Sequence, residues 1–194
     1  MGTEKFDTTI LFLNCKGKKL TIKELREKIE LDKKQWRKEL GKKNVNFFFL
    51  FIFLREYKIV YLFRLCEYLR SHFLLFIPYC CIRLLYHHVT LTNGADIPSH
   101  AEIGGGWVIH HCNGIVIHPL AKIGKNFVIR SGCVIGCKGD GVPIIENNVN
   151  LGVHSIIIGN ITVSSGCIIG AGSVVNKSTE PNGSYAGVPA YRIK

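Results

Sequence analysis

The hydrophobic positions divide the chain into two parts with different periods. From Gly94 onward an aliphatic residue recurs at every sixth position, with two interruptions. This period fits neither an alternating strand nor an α-helix. It fits a short strand and a corner, repeated, with one aliphatic side chain per strand pointing inward. We therefore predict a mainly β fold whose stacked coils bury one aliphatic column. The thirteen column positions are Ile97, Ile103, Ile109, Ile117, Ile123, Ile129, Ile135, Ile145, Leu151, Ile157, Val163, Ile169 and Val175.

Small residues accompany this column. Glycine often follows a column residue, and a small side chain often stands two positions before it, as at Ala101, Ala121 and Ser155. Such residues let a backbone turn a tight corner. Cys133 and Cys167 occupy two of these positions, so we predict that they are buried spacers.

Two breaks interrupt the period. Between Ile109 and Ile117 the chain has two extra residues, and between Ile135 and Ile145 it has four. Extra residues in a solenoid leave it as loops, and loops carry function. We call residues 110–114 (HHCNG) the first insertion and residues 137–143 (CKGDGVP) the second insertion.

Residues 1–90 lack the six-residue period and are predicted to form an α-helical N-terminal segment. Residues 91–194 are predicted to form the β domain. The pattern from Thr21 to Glu24 is typical of a capping box that starts a helix, and Gly41 is a plausible stop. Apolar stretches follow within residues 45–86, but charges interrupt them, and each is shorter than the roughly 20 residues that span a bilayer. Pro78 is expected to kink or end a helix. These helices are expected to pack on the β domain or on another subunit, and the alternative is contact with a membrane surface through residues 45–86.

Charge and cysteine content narrow the function classes. The net charge is +11, and residues 1–90 hold 18 of the 25 Lys and Arg residues against 9 of the 14 acidic ones. This indicates either a solvated helical face or contact with an anionic surface. No nucleic-acid-binding motif accompanies the charge. The eight cysteines show no CxxC pair, and the first residues lack an apolar signal region. We expect a cytoplasmic location, with the inner face of the membrane as a peripheral site.

Residues 90–194 resemble the hexapeptide-repeat acyltransferases, within them the serine acetyltransferase-like group. The resemblance depends on ADIPSHAEIGGGWVIHHCNGIVIHPLAKIG at 95–124, on the glycine-rich second insertion and on AGVPAYRI at 186–193. It implies a left-handed parallel β-helix, a homotrimer with active sites between subunits, and acetyl-CoA as co-substrate, with no metal expected.

The resemblance also assigns roles, and acid–base chemistry agrees with them. A hydroxyl group needs a base to remove its proton as it attacks a thioester, and His111 is the candidate base. A carboxylate on the far ring nitrogen would hold the imidazole, and Asp96 matches this role. Because Asp96 precedes His111 by 15 residues, slightly less than one 18-residue coil, we expect it in the adjacent layer. The candidates for acceptor binding are His110, Asn113 and Asp140. The candidates for acetyl-CoA binding are Gly152, Ala171, Gly172, Gly187, Val188, Pro189 and Arg192.

The sequence departs from serine acetyltransferases in two places that bear on the acceptor. His110 stands where they carry an aspartate, and Gly141-Val142 stands where they carry an Arg-His pair. An acid and an arginine are the groups that free serine requires. Relatives with a Gly-Val-Pro loop look like O-acetyltransferases of capsule, O-antigen or exopolysaccharide sugars, so a glycan hydroxyl is the expected acceptor. The alternatives are serine O-acetyltransferase, a non-enzymatic trimeric scaffold, and a zinc hydro-lyase of the γ-carbonic anhydrase type, whose histidine spacing this chain lacks.

Overall fold

The computed structural model describes residues 19–41 and 46–194. Residues 1–18, on which the expectation of no secretion signal depends, and residues 42–45 lie outside the described part. The N-terminal segment consists of α1 (Ile22–Glu39), α2 (Phe47–Phe53), α3 (Arg55–Arg70), a 3₁₀ turn (Phe73–Leu75) and α4 (Phe76–Thr92).

Helix α1 begins at the predicted capping box. Thr21 Oγ1 accepts a hydrogen bond from the backbone N–H of Glu24 at 3.2 Å, and Glu24 Oε2 accepts from the backbone N–H of Thr21 at 2.8 Å. These two bonds satisfy donors that the first turn leaves free. After the helix, Gly41 adopts a φ of 63°, the left-handed conformation that commonly follows a helix end. Both ends of α1 are therefore confirmed.

Pro78 does not kink or end a helix, so that expectation was wrong. It lies in the first turn of α4, two residues after the helix begins at Phe76. Proline is tolerated there because the first-turn N–H groups have no intrahelical acceptor.

The β domain is a parallel solenoid with three sheets, and consecutive strands from β1 to β13 belong to different sheets, whereas β14 pairs antiparallel with β13. Sheet 1 contains β1 (Glu102–Ile103), β4 (Lys122–Ile123), β7 (Ile144–Ile145) and β10 (Thr162–Val163). Sheet 2 contains β2 (Val108–His110), β5 (Val128–Arg130), β8 (Asn150–Leu151), β11 (Ile168–Ile169), β13 (Ser184–Gly187) and β14 (Ala190–Arg192). Sheet 3 contains β3 (Val116–Ile117), β6 (Val134–Gly136), β9 (Ile156–Ile158) and β12 (Val174–Val175).

The strand register reproduces the sequence period. Ile103 pairs with Ile123, and Ile117 pairs with Ile135, so column residues stack on column residues. All thirteen predicted column positions are buried, and so are the spacers Cys133 and Cys167. The fold class is confirmed as a mainly β parallel solenoid with N-terminal helices.

The helices pack on the outside of sheet 2 and share a core with the solenoid. Phe63 of α3 meets Trp107 edge-on, with ring centroids 5.3 Å apart. Arg64 is fully buried, and its guanidinium donates to the Asp32 carboxylate and to the carbonyl oxygens of Ile103 and Gly104. The boundary between the two predicted domains stays a prediction, since α4 runs to Thr92 and one hydrophobic cluster joins both parts.

Among the described residues, one segment has the length and apolar composition to cross a membrane. It is Phe73–Thr92, with a mean hydropathy of 1.3. Its large apolar side chains are mostly exposed; Leu74 is 94% exposed and Ile77 is 76% exposed.

Candidate functional site

The first insertion lies at the corner where sheet 2 passes to sheet 3. It begins at His110, the last residue of β2, and rejoins the solenoid at Gly114, whose N–H donates to the Gly94 carbonyl oxygen at 2.8 Å. His111 has a φ of 56°, a left-handed conformation that few non-glycine residues adopt. Its side chain is exposed. The corner therefore presents the candidate base to the outside of the solenoid.

Asp96 lies in the coil directly next to this insertion, as its spacing predicted. Its backbone bridges to Val116: the Asp96 N–H donates to Ile115, and the Asp96 carbonyl oxygen accepts from Ile117 at 2.9 Å. The Asp96 side chain is exposed on the outer face of sheet 3. Within the described residues no hydrogen bond joins the Asp96 carboxylate to the His111 imidazole, so their assigned interaction stays a prediction.

Helix α1 reaches the first insertion, a contact that sequence reasoning missed. His110 Nε2 lies 3.1 Å from Oε2 of Glu39, the last residue of α1. The Trp36 ring lies beside the same imidazole, with ring centroids 6.4 Å apart. An acidic group therefore stands next to His110 after all, but it comes from 71 residues earlier in the chain. No local signal could reveal this contact.

The start of α3 also lies close to the insertion. Arg55 Nε donates to Glu56 Oε1 at 2.8 Å. Both charged groups influence the pKa of the Cys112 thiol. Burial raises the pKa of the Cys112 thiol; the Glu56 carboxylate reinforces this rise and the Arg55 guanidinium opposes it. The start of α3 thus brings a cation and a second acid close enough to Cys112 of the first insertion to influence its thiol.

The second insertion lies at a different corner, where sheet 3 passes to sheet 1. It folds back on itself through two backbone hydrogen bonds between Lys138 and Gly141. Asp140 is exposed at its tip. Because the strands of sheet 3 separate the two insertions, a single chain does not bring Asp140 together with His111.

Three of the candidate acetyl-CoA residues form a lane of small side chains: Gly152, Ala171 and Gly172. A Cβ on Gly152 would lie 2.6 Å from the Ala171 nitrogen, so close coil stacking requires glycine there. Gly172 has a φ of 65°, and a Cβ placed on it would meet nothing within 4 Å. The lane is therefore open to solvent and lets an extended ligand approach the backbone.

The remaining candidates lie in the final hairpin. Gly187 ends β13, Val188 and Pro189 form the turn to β14, and Val188 is exposed. The Gly187 N–H donates to Ser173 Oγ at 3.2 Å, which ties the turn to the preceding coil. Arg192 forms an ion pair with Glu180. Arg192 can therefore contact a phosphate of acetyl-CoA only if the phosphate replaces the Glu180 carboxylate as its partner.

Comparisons with known proteins agree with the fold. No protein-family model matches the chain. It is 38% identical to a serine acetyltransferase of Escherichia coli K12 over 110 residues. These residues make up 55% of this chain and 40% of that protein. It is 39% identical over 104 residues to WcaB of the same strain, which is named as a colanic acid biosynthesis acetyltransferase. These residues make up 52% of this chain and 64% of WcaB. The chain thus spans less than two thirds of the length of these relatives.

Solved structures extend the similarity to the helices. The serine acetyltransferase of Neisseria gonorrhoeae, crystallised with serine, superposes with a TM-score of 0.74 at 25% identity, over 90% of this chain and 71% of that one. The soybean serine acetyltransferase gives a TM-score of 0.71 at 26% identity, over 87% of this chain and 69% of that one. The chain therefore has the fold of the hexapeptide-repeat acyltransferases and is homologous to the serine acetyltransferases and to WcaB.

Proposed function

We propose that this chain is an acetyl-CoA-dependent O-acetyltransferase whose acceptor is a sugar hydroxyl of a surface polysaccharide. The observation that carries the proposal is the stacking of the Asp96 coil against the first insertion, with both Asp96 and His111 exposed at one edge of sheet 3. The homologues are named acetyltransferases, which supports the same reaction class.

In the proposed reaction a single residue, His111, both removes and returns the transferred proton. His111 takes the proton of the acceptor hydroxyl as the oxygen attacks the thioester carbon, and the imidazolium then protonates the departing sulfur of CoA. Asp96 holds the ring and stabilises its charged form. The small-residue lane at Gly152, Ala171 and Gly172 supports an approach of the pantetheine arm to the backbone.

The sugar acceptor is supported by sequence and similarity together. Gly141 and Val142 replace the pair that would bind a free amino-acid carboxylate, and WcaB, one of the relatives, is named for colanic acid biosynthesis. Both side chains of the candidate dyad are exposed in the chain, as a bulky acceptor requires.

Serine is the second candidate acceptor, because the helices supply groups that the insertions lack. Glu39 stands beside His110, and Arg55 lies at the start of α3 close to Cys112. A carboxylate and a guanidinium are the groups that recognise an ammonium and a carboxylate. The structure solved with serine belongs to one of the similar proteins.

The test is loss of the thioester ultraviolet absorbance of acetyl-CoA with L-serine and with a panel of sugars and oligosaccharides. This readout avoids thiol reagents, which would also modify exposed protein cysteines. We expect turnover with a sugar that disappears in His111→Ala and persists in the control His87→Ala, an exposed histidine of α4. Saturable turnover with serine alone would replace the glycan by serine. Full activity in His111→Ala would refute the assigned base.

We also infer a homotrimer, because sheet 3 exposes an apolar column on its outer face. Val116, Val134, Ile156 and Val174 stack in register along it, next to Asp96, and none of them is fully buried. An apolar face beside the candidate dyad supports packing of copies around the site. Ile156→Lys should convert trimers to monomers in analytical ultracentrifugation and abolish turnover. A trimer that survives this change would move the interface elsewhere.

A cytoplasmic location with peripheral membrane contact is the remaining part of the proposal. It is supported by the exposed apolar side chains of the segment Phe73–Thr92 and by the basic N-terminal half. We expect sedimentation with vesicles that contain anionic lipid, and loss of it in a Leu74→Glu/Ile77→Glu variant. Leu120→Glu, at an exposed leucine of the solenoid, is the control. Equal sedimentation of all three proteins would refute the contact.

A further inference from the structure

One corner of the solenoid carries a histidine where the other coils carry glycine. At the corner between sheets 2 and 3, five stacked residues adopt a left-handed conformation, and His154 is the one that is not glycine. Their φ values are 63° for Gly94, 71° for Gly114, 68° for Gly132, 58° for His154 and 65° for Gly172. Glycine adopts this conformation most readily, so the corner itself does not call for an imidazole.

The His154 ring leans along this corner toward the first insertion. A Cβ placed on Gly132 would lie 2.0 Å from His154 Nδ1, so the imidazole packs against the Gly132 backbone in the preceding coil. The ring is therefore about one coil closer to His111 than the Cα atom of His154 is. The Gly132 N–H in turn donates to the carbonyl oxygen of Asn113 in the first insertion at 2.9 Å. Since coils repeat about every 4.8 Å, the ring lies about one layer from the insertion. The His154 side chain is exposed.

Four backbone N–H groups of this corner already have acceptors. An acyl-transfer site needs N–H groups aimed at the carbonyl oxygen that becomes negatively charged. Each of the four stacked N–H groups from Gly114 to Gly172 instead donates to a carbonyl group of the preceding coil. The pairs are Gly114 to Gly94 at 2.8 Å, Gly132 to Asn113 at 2.9 Å, His154 to Ser131 at 2.9 Å and Gly172 to Val153 at 2.8 Å. These four N–H groups are therefore not free to serve as that donor, whereas the exposed imidazole of His154 carries an N–H in both of its charge states.

We propose that His154 donates a hydrogen bond to the thioester carbonyl oxygen of acetyl-CoA and stabilises the oxyanion. This assignment rests on the proposed acetyltransferase function. As the acceptor oxygen bonds to the thioester carbon, its proton passes to His111 and the carbonyl electron pair moves to the oxygen that His154 contacts. Collapse restores the carbonyl group, breaks the carbon–sulfur bond and returns the proton from His111 to sulfur. His154 itself gives up no proton.

His154→Gly is the direct test, because glycine fits the left-handed corner and folding is not at risk. We expect kcat to fall on the order of 100-fold, with little change in KM for acetyl-CoA and no loss of thermal stability. His154→Asn keeps both a tolerated conformation and an N–H donor, so it should retain part of the activity.

Asn182→Gly is the matched control. Asn182 also has a positive φ, of 57°, and its side chain rests on Gly166 of the preceding coil, but it lies at the corner between sheets 1 and 2. This variant should keep wild-type kcat. A kcat of His154→Gly within roughly threefold of Asn182→Gly, against the loss expected for a donor, would overturn the assignment.

A second readout does not depend on turnover. Addition of acetyl-CoA to ¹⁵N-histidine-labelled protein should shift the ring resonances of His154, identified by their absence in His154→Gly. Unshifted His154 resonances at saturating acetyl-CoA, in an enzyme that His111→Ala inactivates, would overturn the role of His154 and leave the acetyltransferase intact. Failure of the wild-type protein to bind acetyl-CoA would overturn both.

Discussion

Removal of the Asp32 carboxylate tests whether one buried group joins the helices to the solenoid. Asp32 is 1% exposed, and its Oδ2 accepts from Arg64 Nε at 2.9 Å. Its Oδ1 accepts from the backbone N–H groups of Gly106 and Trp107 at 2.7 and 2.8 Å. Asp32→Ala therefore leaves a buried guanidinium without its main counter-charge and two N–H groups without this acceptor.

The expected loss is large for a single substitution. Breaking a buried ion pair by removing one partner costs about 3–5 kcal/mol. An unsatisfied buried donor costs about 1–3 kcal/mol. These costs overlap here, because Arg64 keeps Glu67 and two carbonyl oxygens as partners. We therefore expect about 3–5 kcal/mol in the free energy of unfolding, which lowers Tm by roughly 6–20 °C for a chain of this size.

Thermal and urea denaturation at one fixed protein concentration would measure this loss, since oligomers unfold in a concentration-dependent way. Asp32→Asn keeps an oxygen for the two N–H groups and should lose less. Glu30→Ala is the control, because it removes only an exposed pair with Lys33 on the same helix and should cost about 0–1 kcal/mol. A loss for Asp32→Ala as small as that of Glu30→Ala would refute the bridging role.

Three smaller tests address individual groups. Burial raises the pKa of the Cys66 thiol to about 12, so Cys66 should resist alkylation at neutral pH until the protein unfolds, whereas the exposed Cys137 reacts; mass spectrometry of the labelled peptides distinguishes them. Burial and two nearby arginines lower the pKa of His100, so the folded state binds this proton less well than the unfolded state; stability should fall as pH drops below about 6.5, and His100→Gln should reduce that fall in urea titrations at several pH values. Thr21→Ala removes the capping box of α1 and should cost about 1 kcal/mol in urea denaturation, with an unchanged urea midpoint as the contrary result.

The solenoid could be predicted from sequence because its rule is local. Each coil repeats the same demand for one inward aliphatic residue and a small corner residue, so thirteen buried positions follow from spacing alone. The positions of both insertions follow from the same count. The capping box of α1 was likewise visible because its two bonds join residues three apart.

The surroundings of the site could not be predicted, because they depend on contacts between distant residues. Glu39 meets His110 across 71 residues, and nothing in either local sequence marks the pair. His154 had a weak signal, since it stands where the equivalent corners have Gly132 and Gly172, but its meaning depends on the direction of its ring. Sequence spacing gives the layer in which a residue lies, whereas function depends on the direction of its side chain.

The same helix that stabilises the fold also reaches the candidate site at the first insertion, so under the proposed function stability and acceptor choice are linked. The Asp32 network fixes α1 against the solenoid, and Glu39 follows seven residues later, two turns along the same helix. The position of Glu39 beside His110 is therefore set by a buried ion pair rather than by the insertion itself. A homologue with the same solenoid and a different helical segment would keep the proposed acetyl-transfer chemistry and present other groups to the acceptor. Differences in acceptor among such proteins should therefore be sought in the helices before the solenoid.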